Sequence, residues 1–123
     1  GFGTKYANPS GGPSSTTTAV SFNTTGSDAF YGYSGGSAPY YGTFPFTSGS
    51  GFGTKYAGST NADGAVYSCA FSPNGSNIAM GLNTTVRVNF YTYNNGSGPG
   101  SKYGNVIPTT KTLRNRGFSH RWT

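Results

Sequence analysis

The heptapeptide Gly-Phe-Gly-Thr-Lys-Tyr-Ala occupies residues 1–7 and returns unchanged at 51–57, and a third version, Gly-Pro-Gly-Ser-Lys-Tyr-Gly, stands at 98–104. Exact recurrence at a period of about 50 residues restricts the chain to an architecture of equivalent stacked units, each unable to bury its apolar face alone. The similarity continues between these markers. Val20-Ser21-Phe22-Asn23-Thr24-Thr25-Gly26-Ser27-Asp28 aligns with Cys69-Ala70-Phe71-Ser72-Pro73-Asn74-Gly75-Ser76-Asn77, and Phe44-Pro45-Phe46 aligns with Tyr91-Thr92-Tyr93. The chain therefore divides into four parts. A first repeat, 1–50, opens with the fourth strand of a preceding unit; a second repeat covers 51–97, a closing strand 98–107 and a C-terminal tail 108–123.

Within each repeat the apolar runs are short and bounded by turn residues, which predicts strands. Ala19 to Phe22 and Val66 to Phe71 are expected as first strands, Ala29 to Tyr33 and Ile78 to Leu82 as second strands, and Tyr41 to Phe46 and Val86 to Tyr93 as third strands. The Lys-Tyr pairs at 5–6, 55–56 and 102–103 supply a short fourth strand. Gly32 and Gly81 mark places where a neighbouring backbone comes close. No segment repeats its apolar residues at a helical period, and Leu82 and Leu113 are the only leucines. The fold class is therefore all-β, with antiparallel four-stranded units. Only 33% of the residues are hydrophobic, so the ten Tyr and nine Phe must carry most of the burial. Phe22 and Phe71, at equivalent positions, are expected to lie buried between sheets.

The segment Ala70-Phe71-Ser72-Pro73-Asn74-Gly75-Ser76-Asn77-Ile78-Ala79-Met80-Gly81, followed by Thr85-Val86-Arg87-Val88, resembles the core of a WD-type β-propeller repeat, although the Gly-His and Trp-Asp signatures are absent. The whole unit, from Gly-Phe-Gly-Thr-Lys-Tyr-Ala-Asn-Pro through the strand and turn at Phe71–Gly75 to an aromatic-Pro-aromatic strand, resembles tandem propeller-like repeats of virion-associated proteins of tailed bacteriophages. That likeness runs over residues 1–107. It implies β-propeller-like blades, an incomplete ring in one chain, and closure through further copies or a longer chain. A fibre or stacked sheet built of the same strands is the other architecture.

The supply of reactive side chains is thin: Asp28 and Asp63 are the only acids, His120 the only histidine and Cys69 the only cysteine. General acid–base, nucleophilic and metal chemistry all need paired or clustered groups, so neither enzymatic activity nor a metal or other cofactor is expected. Asp28 aligns with Asn77 and reads as a turn cap. The Gly-Phe-Gly-Thr stretches lack the rest of a phosphate-binding loop and read as tight turns between units. Sequons stand at Asn23, Asn74, Asn83 and Asn95. The one cysteine, within Val66-Tyr67-Ser68-Cys69-Ala70-Phe71, reads as a small buried hydrophobe.

Two candidate surfaces follow. Tyr31, Tyr33, Tyr40, Tyr41, Tyr91 and Tyr93 lie in or beside strands, where a period of two would turn some of them outward as a sugar- or protein-binding face. In the tail, Arg114, Arg116, Phe118, Arg121 and Trp122 combine the residue types that anchor protein interfaces, which predicts docking onto a neighbouring subunit. The net charge of +6 owes half its positive groups to this tail, so nucleic acid is not expected as a partner of the repeat body. No apolar run reaches the length of a membrane span, and the first residues do not read as a signal peptide. With no initiator Met, the sequence is expected to be processed or part of something longer. The expected role is a non-enzymatic virion structural, decoration or fibre component in a homo-oligomer or longer repeat chain. A carbohydrate-binding host-adhesion module on a virion or extracellular protein, and a cytoplasmic propeller scaffold for protein partners, are the alternatives.

Overall fold

A computed structural model describes residues 1–13, 15–58 and 60–104. They form eight strands: β1 (Thr17–Phe22), β2 (Asp28–Tyr33), β3 (Tyr41–Thr47), β4 (Gly51–Phe52), β5 (Val66–Phe71), β6 (Asn77–Leu82), β7 (Val88–Asn94) and β8 (Gly98–Lys102). Each group of four is an antiparallel meander, β1-β2-β3-β4 in sheet 1 and β5-β6-β7-β8 in sheet 2. The first, second and third strands fall where the alternation and turn residues place them. The fourth does not. It lies at Gly51–Phe52 and Gly98–Lys102, so the Gly-Phe of the second marker is strand rather than turn, Lys55-Tyr56 follows β4, and Lys5-Tyr6 belongs to no strand. Residues 105–107 of the expected closing strand lie outside the described residues.

The two sheets have the same internal wiring. In the first hairpin the Asn23 amide donates to the Asp28 carbonyl, the Asp28 amide donates back to Asn23 Oδ1 and the Gly26 amide closes onto the Asn23 carbonyl; in the second, Ser72, Asn77 and Gly75 repeat the arrangement with the Ser72 hydroxyl as the side-chain acceptor. Across the second and third strands, Asp28 pairs with Pro45 and Asn77 with Thr92, so Phe44 and Phe46 are equivalent to Tyr91 and Tyr93. Tyr40 and Arg87 both have positive φ (70° and 75°) at equivalent points, where each ends the connection into the third strand.

These equivalences reveal how the sheets stack. Sheet 1 turns Asp28, Phe30, Gly32, Tyr41 and Thr43 toward sheet 2, which meets them with Val66, Ile78, Met80, Tyr91 and Tyr93. The equivalents of Asp28, Phe30 and Thr43 are Asn77, Ala79 and Phe90, and these lie on the far side of sheet 2. The sheets therefore pack front to back, and the buried face of each is the outward face of the other. This explains why Phe22 and Phe71 differ. Phe71 is half-buried and meets Tyr93 edge-on at 4.9 Å, whereas Phe22 is 50% exposed on the outer face of sheet 1, edge-on to Phe46. Equivalent rings point to equivalent faces, but only sheet 2 has a sheet against that face.

Stacking is closest at Gly32, where an added Cβ would lie 2.5 Å from a methyl of Val66 on β5. Beside it, the Thr18 hydroxyl donates to the Val66 carbonyl. Gly32→Ala is expected to force the sheets apart and to cost about 1–3 kcal/mol, measured as a lower midpoint of urea unfolding. A substitution without effect on that midpoint would mean that β2 and β5 are not in contact.

Candidate assembly interface

The junction between the sheets is polar at one end. Asp28 opens β2 and is 1% exposed. One carboxylate oxygen accepts the Tyr56 hydroxyl at 2.7 Å; the other accepts the Tyr93 hydroxyl at 2.8 Å and the Gly96 backbone amide at 3.2 Å. A buried carboxylate is costly unless its lone pairs are taken, and these three neutral donors take them. They come from the segment after β4, from β7 and from the β7–β8 turn, so a single side chain ties both repeats together. Nearby, the Asn23 amide donates to Asn95 Oδ1 across the junction at 2.9 Å. Asn23 is buried and its amide is committed, which removes it from the sequons exposed to modification.

The linker between β4 and β5 is held by a second polar set. The Asn89 amide donates to Asp63 at 2.7 Å, the Asp63 backbone amide donates to Asn89 at 2.8 Å, and Lys102 pairs with Asp63 at 2.8 Å. The hydroxyls of Tyr41 and Tyr91 donate to the Thr60 and Asn61 carbonyls. Both acids therefore have structural hydrogen bonds. Asp28 is not the turn cap that its alignment with Asn77 predicts, because Asn23 supplies that bond.

The six tyrosines do not make an exposed binding face. Tyr41, Tyr91 and Tyr93 lie in the core between the sheets. Tyr31 and Tyr33 are buried with Phe44 on the other side of sheet 1, where the Tyr31 hydroxyl donates to Gly11 of the overlying N-terminal segment. Tyr40 is half-buried against Tyr33. Period two does send them to both faces of their strands, but sheet 2 covers one face, and on the other the Tyr31 hydroxyl is bonded to Gly11 and Tyr33 packs with Tyr40 and is bonded to Ser37. The interface residues expected in the tail, Arg114, Arg116, Phe118, Arg121 and Trp122, lie outside the described residues. Among the described residues no group of His, Cys, Asp and Glu could hold a metal ion, and no helix is long and apolar enough to cross a membrane.

Burial also changes acidities. Tyr56 is pushed up to about 12 from an ordinary 10.0, first by burial and then by its bond to Asp28. Tyr93 is raised by the same causes, and burial raises Tyr91, Tyr41 and Tyr31. Because folding holds these protons, the resulting stability is complete below pH 10 and is lost as pH climbs from 10 through about 12, where the unfolded chain ionises first. Alkaline titration is expected to show phenolate absorbance and loss of the fold rising together over that window; independent titration of all ten tyrosines near their ordinary value would contradict it. Burial likewise pushes the Cys69 thiol up to about 11, with a hydrogen bond to Ser21 of sheet 1 acting against the rise.

What remains open are the two outer faces. The far side of sheet 2 carries an apolar groove lined by Ala70, Asn77, Ala79, Phe90 and Tyr103. The outer side of sheet 1 carries another, lined by Pro9, Pro13, Val20, Phe22, Phe44 and Phe52. Both outer faces therefore carry apolar side chains that no other described segment fully covers, Val20, Phe22 and Phe52 on sheet 1 and Phe90 and Tyr103 on sheet 2. A scan against models of protein families finds no match to this chain, and a search of curated proteins finds none.

Proposed function

We propose that this chain is a non-enzymatic structural repeat module, two propeller-like blades of a larger stack, serving as a structural, decoration or fibre component of a virion. The observation that carries this reading is the front-to-back packing of two equivalent sheets, which leaves at either end a face already used once inside the molecule. A heterologous interface of this type does not close on itself in a pair; it propagates until a ring or fibre results. The virion setting draws on the likeness of the Gly-Phe-Gly-Thr-Lys-Tyr-Ala unit to tailed-phage repeats. Both acids are engaged in structural hydrogen bonds, which supports a non-enzymatic role. With the tyrosines consumed in packing, a sugar-binding face has no support of its own.

The test is to lengthen the stack. A copy of residues 58–104 inserted after Gly104 continues the repeat in phase and supplies a third sheet with the face that sheet 2 lacks. Stability in such arrays grows with each added interface, so the midpoint of chemical unfolding is expected to rise while the transition stays cooperative. A midpoint that does not move, or a separate second transition, would refute the reading.

A further inference from the structure

The Lys-Tyr pair of each marker places a tyrosine in the same setting three times, with different halves of that setting filled. Tyr56 has both. Toward sheet 1 its amide donates to the Thr43 carbonyl at 2.9 Å and its hydroxyl to Asp28 at 2.7 Å. Toward sheet 2 its ring lies over Gly98, where an added Cβ would come within 3.3 Å. Tyr103 has only the first half: its amide donates to the Phe90 carbonyl at 2.8 Å and its hydroxyl to Asn77 at 2.6 Å, and the side facing a next sheet is exposed.

Tyr6 has only the second half. Its ring lies over Gly51, the equivalent of Gly98, where an added Cβ would come within 3.1 Å, and it meets Phe46 edge-on at 5.4 Å. Its hydroxyl accepts the Gly49 amide at 2.8 Å, whereas Gly96, the equivalent of Gly49, gives its amide to Asp28. Gly51 and Gly98 have φ of 95° and 88°, so neither can carry a side chain without strain, and the bare backbone forms the seat for the ring. Phe2, equivalent to the β4 residue Phe52, is fully exposed and pairs with no strand.

Tyr6 thus sits on sheet 1 as the tyrosine of a preceding sheet's marker would, while the rest of residues 1–7 is exposed. We infer that the outer face of sheet 1 around Phe46, Gly49 and Gly51 is a docking site for the 98–104 marker of a second copy of this chain, and that residues 1–7 of the same chain occupy that site and hold copies apart. In the docked state Tyr103 of the second copy replaces Tyr6, and Phe90 beside it covers the exposed half of Phe22. The neutral pair Asn77 and Phe46 then meets where Asp28 and Tyr93 meet inside the molecule, so no carboxylate is buried without its hydroxyl.

This inference rests on the repeat-module reading, and its test is separate from the inserted repeat. Sedimentation equilibrium is measured on the 123-residue chain and on a variant lacking residues 1–7, with Tyr6→Ala in the full chain as a second variant should the deletion unfold it. The full chain is expected at its 12.7 kDa monomer mass, and either variant is expected to climb toward twice that mass or beyond as concentration rises. Added Gly-Phe-Gly-Thr-Lys-Tyr-Ala peptide should reverse the association, the same peptide with alanine for tyrosine should not, and Phe90→Asp should abolish association with the circular dichroism unchanged. Folded variants that stay monomeric, a full chain that associates as strongly as they do, or a peptide without effect would overturn the inference. If the inserted repeat stabilises the chain in those cases, the repeat-module reading survives alone.

Discussion

Replacing Asp28 by alanine is expected to destabilise the fold by about 3–5 kcal/mol, although the residue touches no basic group in its hydrogen-bond set. The expectation follows from what is left behind. Two tyrosine hydroxyls and the Gly96 amide lose their acceptor, the Tyr93 hydroxyl in the buried core and the other two at its part-buried edge, and each hydrogen bond to a charged group contributes roughly 1.5–3 kcal/mol. The losses are not additive, since the side chains can partly relax into the space. Asp28→Asn should lie between, because the amide keeps one acceptor oxygen but turns a donor toward Gly96. Urea unfolding followed by circular dichroism measures both; an Asp28→Ala loss below about 1 kcal/mol would show that the carboxylate does not hold the repeats together.

The second large effect is expected at Tyr91. Its side chain is fully buried on β7, its ring meets Tyr41 of the other sheet at 5.8 Å, and its hydroxyl donates to the Asn61 carbonyl at 2.9 Å. Tyr91→Ala removes a ring from the centre of a core built from few large residues, at a cost of about 3–5 kcal/mol. That approaches the whole stability of a small domain, so loss of near-ultraviolet dichroism at ordinary temperature is the expected readout. Tyr91→Phe keeps the ring and leaves one carbonyl without its donor, for a cost of about 1 kcal/mol. Equal losses in the two variants would assign the effect to the hydroxyl and refute the packing argument.

The junction chemistry was only half visible in the chain. Asp28 aligned with Asn77 reads as two interchangeable turn residues, and Tyr93 aligned with Phe46 reads as two interchangeable aromatics. Taken as pairs the signal is present: the repeat partner with the carboxylate is followed by the one with the hydroxyl. Local reasoning treats each position by itself and has no reason to join side chains 65 residues apart. The tyrosine face failed for a related reason. Alternation along a strand says that neighbouring residues point to opposite sides, but not what lies on either side.

The sequence by itself determined the all-β class, where six of the eight strands among the described residues run, and the repetition of one unit. Those properties are local: turn residues end strands wherever they occur, alternation needs only adjacent residues, and an exact repeat is visible without a fold. Only the tertiary structure decided that the units stack front to back, that Phe71 is half-buried while Phe22 is exposed, and that the Tyr6 ring lies against Gly51 as the Tyr56 ring lies against Gly98. Equivalent sequences carry equivalent faces, and which of those faces is buried depends on the sheet placed against it, a relation between distant segments that no single repeat contains.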